Sequence, residues 1–172
     1  MTKPEANILY AYGDPHIDTL LTSTLTMKIN LVLLIARICM APIMVVYGWQ
    51  KLFDINNFLH NPATKRMMEV FASGAVPPLW FAYGNALFQL AAGLFVLVGL
   101  QTRLSASMTV LWLIPVTYFG HPFWAGIDPA FNEPQFYKNL SIIAAYLLIA
   151  GLGAGKYSLD ALSFGNKNYK FL

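Results

Sequence analysis

Four long stretches of the chain carry apolar residues without the strict alternation of a half-buried strand: 29–53, 79–100, 104–119 and 136–152. Crossing a hydrocarbon core of about 30 Å takes about 20 helical residues, whereas strands cross it only as a closed barrel of alternating polarity. The runs are continuous, so the pattern predicts an all-α integral membrane four-helix bundle. An even number of crossings places both termini on the same side. Residues 101–103 alone join the second and third runs, which makes those helices antiparallel neighbours. Between the first and second runs, 54–78 begins polar, contains Pro62 and ends in Gly74-Ala75-Val76-Pro77-Pro78. Within it, 64–72 reads as a short surface helix. Pro115 removes one hydrogen bond from the third helix and is expected to kink it. Residues 120–134, with three prolines and several aromatics, read as a compact cap at the membrane surface.

The flanks differ from the runs. Residues 1–28 are polar, broken by Gly13, Asp14 and Pro15, and lack the compact apolar core of a signal peptide. They read as a retained amino-terminal extension that is interfacial or partner-binding, with a short interfacial helix over 20–27. Residues 29–162 form the transmembrane domain and 163–172 a carboxyl-terminal tail.

Composition supports lipid as the solvent. The chain is 57% hydrophobic and 11% charged, against about 25% charged in soluble domains. The net charge of +3 raises the question of nucleic acid, but the eleven Lys and Arg residues, all but Arg37 outside or at the ends of the apolar runs, are scattered and form no basic face. They act better as topology signals. Lys3, Lys28, Arg103, Lys156, Lys167 and Lys170 fall on one side, and Lys51, Lys65, Arg66 and Lys138 on the other. Six against four, with Arg37 left out because it lies within a run, places both termini in the cytoplasm. The one cysteine, Cys39, lies inside an apolar run and supports no disulfide framework or thiolate metal cluster.

Polar groups inside the runs are the candidates for chemistry. Arg37 falls about eight residues into the first run, roughly 12 Å deep. A central arginine costs about 2.5 to 3.5 kcal/mol on insertion scales, so it needs an escape route or a partner. One reading lets it snorkel to the cytoplasmic headgroups. The other pairs its guanidinium with the carbonyl of Gln89, with Asn85 one turn away extending an intramembrane polar seam. Gly48, Gly84, Gly93 and Gly99 are expected to permit close helix packing. The tryptophans read as interfacial belt residues. His16, His60 and His121 are far apart and show no ligand spacing, so no metal or haem is expected. A quinone is the cofactor the polar end suits. His121-Pro122-Phe123-Trp124 followed by Gln135-Phe136-Tyr137-Lys138-Asn139 places His121, Trp124 and Lys138 near one membrane surface, beside apolar walls and on the side of Lys51. The alternative is structural: His121 and Asn139 cap helix ends and Trp124 anchors at the interface.

The order of these motifs resembles the DoxX/DoxD family of small bacterial membrane proteins. Ala36-Arg37 followed by Gly48-Trp49-Gln50-Lys51-Leu52 is similar to the family's Arg and G-x-x-K-L. Gly74 to Pro78, Gly93-Leu94 and Gly99-Leu100-Gln101-Thr102-Arg103 are similar to its Gly-x-Pro, glycine and G-L-x-T-R segments. His121-Pro-Phe-Trp, Phe136-Tyr-Lys-Asn-Leu and Gly153-Ala-Gly-Lys-Tyr-Ser-Leu-Asp160 are similar to its final signature. The resemblance covers about 30–162. It implies a four-helix membrane fold and association with thiosulfate:quinone oxidoreductase or other membrane redox complexes. Where the family commonly has a glutamate in the second helix, this chain has Gln89. That departure favours an accessory subunit of a respiratory or quinone-linked complex, whose partners are lipids and other subunits. The alternative is a quinone-reducing subunit supplied with electrons by a partner.

Overall fold

The structure, a computed structural model, describes residues 15–74 and 76–163, with side chains from Thr19 onward. Among the described residues the secondary structure is entirely helical. Helix α1 runs over Pro15–Phe53, α2 over Ile55–His60, α3 over Pro62–Ala72 and α4 over Leu79–Val98. Helix α5 spans Thr102–Gly120, α6 Pro129–Leu152 and α7 Leu159–Ser163, with a 3-10 turn at Phe123–Ala125 between α5 and α6. Three of these are long and apolar enough to cross a membrane: α1 from Thr19, α4 and α6. Helix α5 is 19 residues long but is diluted by Ser105, Thr109 and Thr117.

The first apolar run and the expected interfacial helix are one continuous helix. Nothing between Thr19 and Lys28 breaks it, since threonine and serine bond back to their own backbone: Thr26 Oγ1 donates to the Thr22 carbonyl at 2.8 Å and Ser23 Oγ to that of Leu20 at 2.9 Å. The remainder of the proposed extension and the tail from 164 lie outside the described residues. Helix α5 continues through Pro115, and α6 begins seven residues before the apolar run, at Pro129, with Asp128 as its side-chain cap.

Inward faces follow helical periodicity. On α1, Leu33, Arg37, Ala41, Met44 and Gly48 are buried at three- and four-residue spacing, and on α4 so are Ala82, Ala86, Gln89, Gly93 and Val96. These two stripes meet antiparallel and very close. A methyl added at Gly48 would stand 2.6 Å from the Leu90 backbone nitrogen, and one at Gly93 would stand 2.9 Å from Met44 Cβ. Gly84, expected to serve packing as well, faces open space. Helix α1 packs chiefly on α4, and α5 chiefly on α6, whereas α1 and α6 barely touch. The central cluster joins Met44, Val96, Ala106, Val110, Tyr146 and Ile149. Most other apolar side chains point outward, among them Leu31, Val32, Ile35, Leu111 and Leu148, as lipid contact requires.

Candidate functional site

The two ends of the bundle use their polar residues differently. At the end where α4 stops and α5 starts, they tie the chain together. Arg37, wholly buried, donates from Nη1 to the carbonyls of Leu97 at 3.2 Å and Val96 at 3.5 Å, and from Nη2 to that of Tyr157. The Val96 and Leu97 carbonyls belong to the last α4 turn, where the negative end of the helix dipole lies. Gly99, at φ 72°, turns the chain directly against that guanidinium; any Cβ there would collide with Arg37 Nη1 and Ser158. Asp160 completes the clasp, accepting from the Gln101 and Thr102 amides at 2.6 and 2.9 Å while its own amide donates to Gly99 O at 2.8 Å. Asp160 thus caps α5 from 58 residues away, where Gln101 offers no side-chain cap of its own.

The other arginines play the same part. Arg103 Nη2 reaches the Leu152 carbonyl ending α6 at 3.4 Å, and Arg66 Nε reaches the Gly120 carbonyl ending α5 at 3.0 Å. All three arginines of the chain therefore hold helix C-termini. Arg37 does not meet Gln89. The Gly48 and Gly93 contacts set a register in which Arg37 is level with Val96 and Leu97, while Gln89 lies about two turns away, level with Lys51. Depth counted from an assumed start at residue 29 misjudged this, because α1 extends well beyond that point.

At the opposite end lies a cavity of about 850 Å³, within the roughly 300 to 1,000 Å³ of ligand sites. It is bounded by the last turns of α1, by α2 and α3, by the first half of α4, and by the facing ends of α5 and α6. Lys51 is its central cation. Lys51 Nζ donates to Gln89 Oε1 at 2.8 Å and Asn85 Oδ1 at 3.5 Å, and lies 4.6 Å from the Phe58 ring centroid and 5.3 Å from that of Trp112. Two aromatic faces and two amide oxygens hold the ammonium in place. Asn85 and Gln89 do form a polar seam, but its partner is Lys51. Sequence reasoning placed Lys51 on this side without assigning it to the seam. The signal was present, since Lys51 continues the stripe of Arg37, Ala41, Met44 and Gly48.

His121 and Lys138 also line the cavity; Trp124 does not. Trp124 packs outside it against Tyr118, Phe123 and Phe136, with centroids 5.1 to 5.5 Å apart. Trp112 and Trp49, both expected in an interfacial belt, are the indoles that line the wall. Lys138 Nζ donates to Gln135 Oε1 and stands 5.9 Å from the Tyr47 ring, bridging the loosely joined α1 and α6.

His121 is fixed by a buried amide. Asn132 Nδ2 donates to the carbonyls of Ile127 at 2.6 Å and Asp128 at 3.2 Å, so its Oδ1 faces Arg66 Nη2 and His121 Nδ1, both at 3.1 Å. An acceptor there places the imidazole proton on Nδ1 and leaves Nε2 as the acceptor. Burial pushes His121 below its ordinary value of 6.5; the Asn132 hydrogen bond opposes this, and the charges of Arg66 and Lys138 add to it. The imidazole is neutral at pH 7. The cavity therefore presents ammonium donors and one imidazole acceptor beside apolar walls.

Comparison with known proteins bears on both ends. A family model described as DoxX matches residues 32–122, and one described as the SURF4 family matches 80–166. Inner membrane protein YphA of Escherichia coli K12 is 29% identical over 130 residues, covering 74% of this chain and 87% of the relative. Inner membrane protein YqjF of the same organism is 31% identical over 130 residues, covering 75% of this chain and 89% of the relative. No solved structure matches. The DoxX match takes in Arg37, Lys51, Asn85 and Gln89, and it covers more than half of the sequence: the chain belongs to the DoxX family.

Proposed function

We propose that this protein is an accessory integral subunit of a respiratory or quinone-linked oxidoreductase complex in the bacterial inner membrane. Helices α1, α4, α5 and α6 cross the bilayer, with both termini cytoplasmic. The observation that carries the accessory role is the use of Arg37, Arg66 and Arg103 to pin helix ends: the charges most costly to place near lipid are committed to holding the bundle. Orientation gains support from the cavity. Lys51 and Lys138, counted with the far side, are drawn into it, which leaves Lys65 and the carbonyl-bonded Arg66 there and sharpens the charge asymmetry. The relatives named as inner membrane proteins agree with the location.

Arg37→Leu tests the role. It strands the α4 and Tyr157 carbonyls, so the assembled complex should become scarcer while turnover per assembled complex stays near normal. Equal abundance with abolished turnover would overturn the accessory reading. Partners recovered with the full chain in mild detergent would identify the complex. A second reading, a quinone-reducing subunit fed by a partner, is favoured by His121 and Lys138 lining one cavity with Lys51. Under that reading a quinone analogue binds the isolated chain, and His121→Gln weakens its binding without lowering abundance.

A further inference from the structure

The cavity has an imbalance of charge that neither reading uses. Two ammonium groups, Lys51 and Lys138, line it, and among its lining residues Asp54 alone is a carboxylate. Asp54 is exposed and already accepts the Asn57 amide at 3.0 Å as the cap of α2. No carboxylate of the described residues pairs with Lys51, which is withdrawn from solvent and held only by neutral amide oxygens and ring faces. Lys138, which is exposed, also has no carboxylate partner among the described residues and meets the Gln135 amide and the Tyr47 ring. An ammonium removed from water without a counter-charge is costly, and a bound anion would relieve that cost. Lys51 also retains donor capacity, since an ammonium has three N–H groups and two face Gln89 and Asn85.

The cavity is ordered along the membrane depth as an amphiphile is. Lys51, Asn85, Lys138 and His121 lie toward the bundle end, whereas Ile43 lies eight residues, roughly 12 Å, deeper along α1 and shares the inner wall with Met44, Leu113 and Ile142. A small water-soluble anion has no use for that inner wall. The weak α1 to α6 seam, bridged by Lys138 and Tyr47, offers a side entrance from the lipid.

We propose that this cavity binds a single-tailed amphiphile with an anionic head, carboxylate or phosphate, its head between Lys51 and Lys138 and its tail along Ile43 and Leu113. The occupant differs from the neutral electron carrier of the quinone reading, and the two are separable in one experiment. Full-length protein in a nonionic detergent is offered oleate, oleyl alcohol, decylubiquinone and inorganic phosphate, and bound species are counted by native mass spectrometry. Oleate should be retained at least about tenfold better than the alcohol, as a charge-assisted hydrogen bond would give. Lys51→Gln should remove that preference, and Lys51→Arg should keep much of it. Lys138→Gln, on the more exposed wall, provides a second variant if Lys51→Gln fails to fold, and it should lower oleate retention in the same direction. Equal retention of oleate and oleyl alcohol overturns the proposal, as does preference for decylubiquinone, which would instead support the quinone site. Inorganic phosphate displacing oleate at matched concentration also overturns it, since the site would then be one for a free anion. Loss of the partner complex in Arg37→Leu cells leaves this binding result untouched, so the two proposals fail separately.

Discussion

At the scale of the residue, His121 shows how a neighbour can set the state of a side chain. The Asn132 amide is oriented by two backbone carbonyls, and this alone dictates which imidazole nitrogen carries the proton. Burial, Arg66 and Lys138 then oppose a second proton. A histidine whose folded value is depressed is fully stabilising at pH above its unfolded value of about 6.5. Below that, the unfolded chain takes up protons that the folded chain refuses, so stability falls with pH until the lower folded value is passed. The wild-type protein in detergent should therefore lose melting temperature between pH 7.5 and 5.0, and His121→Asn should lose less over the same interval. Identical pH slopes in the two proteins would refute a depressed, neutral His121. His121 stood out in the sequence as a candidate for binding, but its pairing with Asn132 did not, since only the fold of residues 121–132 brings the two to 3.1 Å. Arg37 was legible as a buried charge needing partners. Its partners were not, because they are backbone carbonyls, which every residue possesses and no motif marks.

Helical elements were far easier to read. The apolar runs located α1, α4, α5 and α6, since a peptide group in lipid must be satisfied within its own helix and the pattern is consequently unbroken. Starts and ends were less visible: α1 and α6 extend into polar sequence because threonines, serines and an aspartate cap satisfy the extra turns locally. The pairing of elements depends on glycine, and here three positions of the same residue type diverge. At Gly48 and Gly93 the backbones of α1 and α4 are so close that a methyl cannot enter without parting the helices, whereas Gly84 faces open space. Gly48→Ala should cost about 1 to 3 kcal/mol through overpacking. Gly84→Ala should be neutral or stabilise by about 0.4 to 1 kcal/mol, by restricting the unfolded chain. Thermal unfolding in one detergent compares them. A Gly48→Ala protein as stable as Gly84→Ala would show that the α1 to α4 register is not the one described. The Lys51 cavity inherits that register, for a slip of one turn would part Lys51 from Gln89.

For the whole molecule, the number of crossings turns on α5, which is less apolar than its neighbours. Two of its buried hydroxyls are satisfied by its own backbone, Thr109 Oγ1 on Ser105 O at 2.9 Å and Thr117 Oγ1 on Leu113 O at 2.7 Å, so these two do not demand water. Its length of 19 residues corresponds to roughly 28 Å, close to the hydrocarbon thickness. Its two ends are anchored to opposite ends of the bundle, Thr102 at the Asp160 clasp and Gly120 at Arg66 beside the α6 start. Under the four-crossing proposal, α5 returns the chain across the bilayer after α4. Four crossings put residue 65 on α3 and residue 156 after α6 on opposite faces of the membrane, whereas three crossings, with α5 left on the surface, would put both on one face. In a Cys39→Ser background, a membrane-impermeant maleimide applied to intact cells freed of their outer barrier should label Lys65→Cys directly. It should label Lys156→Cys only after the inner membrane is opened. Labelling of both from outside would reduce the crossings to three, and the reverse pattern would invert the orientation. In either case the anionic head between Lys51 and Lys138 would have to be sought in a different aqueous compartment or at a different membrane depth.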